Sequence, residues 1–316
     1  MATSRQSIIR GPGTVKIGTV KIFDASGITA DIDSATSDIP SSIAGKLDTI
    51  KTDQIGKIAL TPVGNLTADL LAILFPSWAQ TPDIGRSVFG STDSPLIVSS
   101  RAGQKVTFKA TGITKLPEIY LSPVKTAFGS VEFTALLANG KLPNETNAFY
   151  QVEAATYADG EPPRNALSGF HYGATWGTGQ GAFTIPDTLD GWTITPELQL
   201  EPVTTDSQGT IDYTLTGVTV RASCTPLGLS ESDILAKLPV SSARGSSLAS
   251  ANDLVITAAN PGLTVTLKKA SLVTGPIQWG ATMLRAGQLG FVANIDATDG
   301  SLFEVGITAA PDDGEE

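Results

Sequence analysis

The chain has 316 residues, 41% of them hydrophobic and 16% charged, enough to bury one large or two ordinary cores and too apolar for a disordered segment. Its 31 Asp and Glu outweigh 21 Lys and Arg, for a net charge of −10, which excludes tight binding of a phosphate backbone but not a surface past which nucleic acid slides. The single cysteine, Cys224, excludes an internal disulfide; with no signal-peptide pattern at the start and no run near ~18 apolar residues, a soluble, intracellular, membrane-free protein is expected.

In chain order, GTVKIGTVKIF at residues 13–23 alternates Val and Ile with small or polar residues, the pattern of a half-buried strand. Residues 34–44 read as irregular. The turn Thr61-Pro62-Val63-Gly64 then leads into a helix over Thr67–Leu74, stopped by Pro76, whose Leu70, Leu71 and Leu74 form an apolar stripe. Residues 77–95 form a long irregular stretch of the kind that is functional or disordered. Residues 154–181 are rich in Gly, Pro, Tyr and Trp around Gly160-Glu161-Pro162-Pro163 and read as a linker running into the next strand.

Further on, residues 202–208 again read as irregular. Val218, Val220, Ala222 and Cys224 share one face of a strand. A second helix is expected over Ser230–Leu238, with Ser230 and Asp233 at capping-box spacing and Pro239 ending it. Leu263, Val265 and Leu267 alternate with polar residues in another strand. Residues 311–316 form an acidic tail.

The most informative feature is internal. Shifted by 164 positions, residues 27–74 align with 191–238 without a gap, matching Gly27 with Gly191, Gly45 with Gly209, Asp48 with Asp212 and Thr61-Pro62 with Thr225-Pro226. Asp69, Leu71 and Leu74 likewise meet Asp233, Leu235 and Leu238. After a shorter loop, Leu96-Ile97-Val98 matches Leu254-Val255-Ile256 at a shift of 158, and Val106-Thr107-Phe108-Lys109 matches Val265-Thr266-Leu267-Lys268 at a shift of 159. The chain therefore reads as a tandem duplication of one mainly β domain of the sandwich or barrel type, each copy with one short flanking helix. The expected boundaries are 1–153 for copy one, 154–181 for the linker, 182–310 for copy two and 311–316 for the tail.

Chemistry is sparse. His171 is the only histidine, lies in the aromatic GFHYGATW stretch, and has no flagged nucleophile to serve. Cys224 matches Leu60 and reads as a buried thiol. One Cys and one His cannot build a zinc site. Asp31, Asp33 and Asp38 suggest a calcium loop, but Thr36 and Ser42 stand where its glycine and glutamate belong. The expectation is a non-enzyme without cofactor or metal.

A domain without a site acts through its surfaces. Two related domains in one chain suit ring assembly, since three such chains present six similar units, and open strand edges can be satisfied by neighbouring subunits. Residues 34–44 and 77–95 are candidates to reach the next ring.

The opening Gly-Pro-Gly followed by GTVKI and Gly27-Ile28-Thr29-Ala30, with Gly56-Lys57-Ile58-Ala59-Leu60-Thr61-Pro62-Val63-Gly64 leading into a short helix, resembles the tail tube (major tail) proteins of long-tailed bacteriophages. The resemblance covers most of copy one and, through the repeat, copy two. It implies tail-tube domains in tandem and a virion tail assembled in a bacterial cytoplasm. It also implies homotrimeric, pseudo-hexameric rings stacked into a tube that double-stranded DNA crosses, with tape-measure, terminator and distal-tail proteins as further partners.

On this reading, candidate lumen-facing carboxylates are Asp31, Asp33 and Asp48 in copy one and Glu197, Glu201 and Asp212 in copy two, while Asp69 and Asp233 are first-turn helix carboxylates. Candidate ring-stacking residues are Ser77, Trp78, Asp83, Arg86, Phe89 and Asp93. Two alternatives stay open: another ring-forming virion or secretion-tube component, and a tandem β-sandwich module binding a carbohydrate or receptor. The second would want exposed aromatics at matched positions, such as Tyr120 and Trp279.

Overall fold

The computed structural model describes residues 2–43, 45–63, 66–89, 95–122, 125, 127–136, 149–160, 170–178, 182–185, 187–206, 208–227, 252–260, 262–274, 277–279 and 284–307. The chain is mainly β. Its elements begin with β1 (Ala2–Gly11), β2 (Gly13–Ile17), β3 (Val20–Asp24), β4 (Ile28–Ser41), β5 (Gly45–Leu60) and β6 (Pro62–Val63). Helices α1 (Ala68–Leu74) and α2 (Ser77–Gln80) follow. Next come β7 (Leu96–Ser100), β8 (Gln104–Phe108), β9 (Gly112–Lys115), β10 (Ile119–Leu121), β11 (Val131–Leu136) and β12 (Tyr150–Ala154). The later strands are β13 (Phe170–Trp176), β14 (Phe183–Ile185), β15 (Asp187–Thr205), β16 (Gly209–Leu227), β17 (Leu254–Asn260) and β18 (Leu263–Leu267). The last are β19 (Ser271–Thr274), β20 (Ile277–Trp279), β21 (Leu284–Ala286), β22 (Leu289–Val292) and β23 (Phe303–Ile307).

Four antiparallel sheets carry the fold, and they repeat in pairs. The order β4-β5-β11-β9 in one sheet recurs as β15-β16-β22-β19 in another. The order β12-β8-β7-β2-β3 recurs as β23-β18-β17-β13-β14. The sequence repeat thus maps strand for strand onto the topology. Among the described residues, β1, β6 and β10 break the pattern, β1 adding to the free edge of β4, β6 to β3 and β10 to the free edge of β15, while β20 and β21 form a small ribbon of their own.

Alternation decides which face is buried. Ile28, Ala30, Ile58, Leu60, Val131 and Phe133 turn one face of the first sheet inward. Gly56 lies so close to Phe108 of β8 that a Cβ there would sit 2.8 Å from the ring. In the second half Trp176 of β13 meets Phe291 of β22 edge-on at 5.6 Å and donates its indole N–H to the Ala270 carbonyl at 2.9 Å. That hydrogen bond satisfies a polar group that burial would otherwise penalise. All four sheets share one continuous core, rather than forming two separately cored sandwiches.

Helix α1 follows its sequence signals. The Thr67 hydroxyl accepts a hydrogen bond from the Leu70 N–H at 3.1 Å, an N-cap that satisfies one orphan donor of the first turn, and Leu70, Leu71 and Leu74 are buried. The second expected helix, Ser230–Leu238, lies outside the described residues, as does the tail 311–316.

Three expectations need correction. Residues 13–23 form a hairpin, not one strand, because Gly18 takes φ 57° between β2 and β3, a turn conformation open to glycine. Residues 34–44 and 202–208 are largely strand: β4 runs to Ser41 and β15 to Thr205, each continuing a long hairpin. Finally, the expected linker 154–181 contains β13, which pairs with β14 and β17. Before it, Asp159 docks on copy one, accepting from Thr14 Oγ1 at 2.5 Å and pairing with Lys21 at 2.9 Å.

Candidate assembly interface

Copy one touches copy two through three strips. In the first, β10 lies along β15, pairing Ile119 with Ile194, Tyr120 with Thr193 and Leu121 with Trp192. Gly191 permits this approach: it takes φ 83°, and a Cβ there would stand 2.2 Å from the Leu121 carbonyl oxygen. In the second, residues 85–88 run along β16, with Gly85 N–H donating to the Leu215 carbonyl, Leu215 N–H to Arg86 and Val88 N–H to Tyr213, at 2.8–3.0 Å. Phe89 adds a ring contact with Tyr213 at 6.0 Å. Beside it, the Asp53 carboxylate of β5 accepts from both the N–H and the hydroxyl of Thr210, at 3.1 and 2.7 Å.

The third strip is the end of α2 against β23. The Gln80 carbonyl accepts from Leu302 N–H at 2.8 Å, and its side-chain oxygen accepts from Val305 N–H at 3.2 Å. Phe75 meets Phe303 edge-on at 6.3 Å. Each strip satisfies backbone groups of a sheet edge that would otherwise be open.

The repeat gives each strip a matching position on copy one. The match of 192–194 is 28–30, where β4 pairs with β1. The match of 213–215 is 49–51, where Thr49, Ile50 and Lys51 are exposed. On that side β5 meets β11 only from Ile55 onward among the described residues. The match of Val305 is Val152 of the edge strand β12, 47% exposed. Among the described residues, copy two is covered at all three places and copy one at a single place, by its own N-terminal strand.

The sheet faces turned away from the core are polar. Thr29, Asp31 and Asp33 of β4 share such a face with Lys57 of β5 and Glu132 of β11, and Lys57 pairs with Asp33 at 3.5 Å. In the second half, Thr193, Thr195 and Glu197 lie beside Arg221. This face mixes charge signs and is not an unbroken acidic wall. At its margin the Tyr120 hydroxyl donates to Glu118, and this bond, with partial burial, pushes the Tyr120 pKa up to about 12.

The candidate lumen carboxylates disperse on this frame. Asp33 and Glu197 lie on the polar face, but Asp31 is fully buried and presents no surface in the single chain. Asp48 is exposed on the distal half of the first hairpin, where its carboxylate accepts from Thr49 N–H at 2.7 Å. Asp212 is half-buried and accepts likewise from Tyr213 N–H at 2.7 Å. Glu201 is exposed on the distal part of β15.

The candidate stacking residues also part company. Ser77 and Trp78 belong to α2, Asp83 pairs with Arg86 at 3.6 Å, and Phe89 rests on Tyr213; Asp93 lies outside the described residues. Sequence reasoning missed the exposed apolar end of the first hairpin, with Ile43 97%, Leu47 69% and Ile50 47% exposed. The signal was there in isolated Ile and Leu among polar residues.

The side chain of His171, in β13, lies outside the description. Cys224 is buried, and burial pushes its thiol far above the ordinary range, which leaves it a poor nucleophile. A recess of about 260 Å³ beside Trp78, Val88 and Phe133 has no titratable side chain in its lining. Among the described residues no group of His, Cys, Asp and Glu is placed to hold a metal, and no helix is long and apolar enough to cross a membrane. Compared with known proteins, the chain matches no family model and no curated protein.

Proposed function

We propose that the chain is a structural ring-former of the tail-tube kind: two tandem tail-tube domains per chain, three chains per pseudo-hexameric ring, and rings stacked into a tube that conducts phage DNA. The observation that carries this reading is the asymmetry of the repeat. Copy one grips copy two through three strips, while among the described residues the matched strips of copy one at 49–51 and around Val152 are open. A heterologous contact that repeats between chains must close a ring or run on as a fibre. With two copies per chain, closure after three chains gives six nearly equivalent positions.

The polar face bearing Asp33, Glu197, Lys57 and Arg221 is the surface assigned to the passing duplex. Its mixed charge offers no continuous cation row for phosphates to hold. Stacking of one ring on the next falls to the apolar hairpin end around Ile43 and Leu47. The loop 77–95 serves the contact within the ring instead, since its residues 85–88 are committed to β16. The protein accordingly belongs to a virion tail, assembled in the bacterial cytoplasm with the other tail proteins.

Negative-stain electron microscopy of the purified protein over a range of concentrations tests the proposal. Hollow tubes or stacked rings with threefold-modulated sixfold symmetry are expected. Isolated closed rings that never stack would favour another ring component of a virion or secretion machine.

A further inference from the structure

The slot at residues 28–30 has two rival occupants. In copy two the matched slot, 192–194, takes β10 of copy one. At a shift of 159 the match of Tyr120 in β10 is Trp279 in β20. Among the described residues β20 is held in no principal sheet of the single chain and pairs with β21 in a two-stranded ribbon. The slot it would fill on copy one is occupied instead by β1, with Ile9 opposite Ala30, Arg10 opposite Thr29 and Gly11 opposite Ile28. Donor and acceptor are therefore both engaged within the chain.

The geometry points to strand exchange on assembly: β20 of a second copy of this chain pairs with β4 at residues 28–30, displacing the C-terminal end of β1. This rests on the ring reading and adds to it a named donor, acceptor and competitor. The exchange swaps one set of antiparallel backbone bonds for another, so its intrinsic cost is small. The open strips at 49–51 and Val152 supply the net drive. Until a second chain offers all three strips together, β1 keeps the edge of β4 from pairing at random, a protection that exposed sheet edges require.

Three disulfide pairs, one of them a control, and one deletion test this, with buried Cys224 left in place. Thr29→Cys with Trp279→Cys is expected to give, in assembled material, covalent chain-to-chain links ending at a closed trimer on non-reducing gels. Tyr120→Cys with Thr193→Cys links the same strips within one chain and serves as the positive control. Arg10→Cys with Thr29→Cys ties β1 to β4; oxidised, it is expected to stay monomeric, and reduced, to assemble.

Deleting residues 1–11 is expected to lower the concentration needed for assembly by about tenfold, the effect of removing competition from a closed form populated to roughly 90%. Equal assembly of the oxidised and reduced Arg10–Thr29 variant, or no Thr29–Trp279 link in assembled rings, overturns the exchange while leaving the ring reading standing. Monomers in every variant, the deletion included, sink both.

Discussion

Replacing Gly191 by Ala tests the contact between the two copies at its tightest point. Gly191 holds φ 83°, and an added Cβ would meet the Leu121 carbonyl oxygen at 2.2 Å and Ser122 Cα at 2.8 Å. A left-handed backbone costs an L-residue about 1–2 kcal/mol, and overpacking a filled site adds about 1–3 kcal/mol. The neighbour here is backbone in a paired strand and cannot rotate away, so the expected destabilisation is roughly 2–5 kcal/mol. Two further glycines separate the contributions. Gly45 has φ 74° with nothing within 4 Å of a Cβ, and Gly306 has open space and no positive φ. Gly45→Ala should therefore show only the backbone cost, about 1–2 kcal/mol, and Gly306→Ala should stay within about 0.5 kcal/mol of the parent. Urea unfolding followed by tryptophan fluorescence reads all three, since Trp192 is the residue that follows Gly191. If Gly191→Ala unfolds with Gly306→Ala, the approach of β10 to β15 is not as tight as described, and the account of the interface fails.

Other expectations follow from single contacts. Asp53→Ala removes both hydrogen bonds to Thr210 across the copies and leaves the buried Thr210 hydroxyl short of a partner, a loss of about 1–3 kcal/mol that denaturant midpoints measure. Trp176→Phe keeps the ring packing against Phe291 but orphans the Ala270 carbonyl; a loss of about 1–3 kcal/mol is expected, and no change would mean that water replaces the indole. Cys224 is expected to resist a thiol reagent in the folded protein and react fully in denaturant; rapid labelling of the native chain would contradict its burial. The Asp38 carboxyl is held below its ordinary 3.8 by hydrogen bonds from Lys46 and Thr49. A depressed folded-state value means this contribution is complete above the unfolded carboxylate range and lost as pH falls through the folded value. Asp38→Asn should flatten that acid-side loss, and an unchanged NMR titration midpoint for Asp38 on Lys46→Ala would argue against the pairing.

Much of this fold was legible where one face of an element is buried. Leu263, Val265 and Leu267 alternate in β18 and are buried as the pattern implies, and Val220, Ala222 and Cys224 share the inner face of β16. Thr67 caps α1 and its leucines pack inward. The self-comparison anticipated the repeated strand order, because duplicated cores keep the same apolar positions. The long hairpins were missed because their distal halves are exposed: Gly45 to Lys51 are all accessible, so no alternation marks them and their Ser, Thr and Asp content imitates a loop. The stretch around Phe170–Trp176 was hidden by its glycines, although Trp176 belongs to the core.

The candidate site was less legible for a different reason. Charge sign can be read from a sequence, but which face of a strand a carboxylate occupies depends on bulges such as that between Gln199 and Leu200, and each bulge resets the alternation. Asp31 shares its face of β4 with Asp33, the match of Glu197, yet Asp31 is fully buried and Glu197 exposed, a difference that strand alternation does not carry. Contacts made by β10 and residues 85–88 on the second copy carry no local signal, because backbone groups make them.

Native mass spectrometry across protein concentration shows whether the contact between copies repeats between chains and closes after three. The monomer is expected to give way to a trimer and then to multiples of three chains, with no persistent dimer. Dimers, or open-ended series growing by single chains, would contradict it.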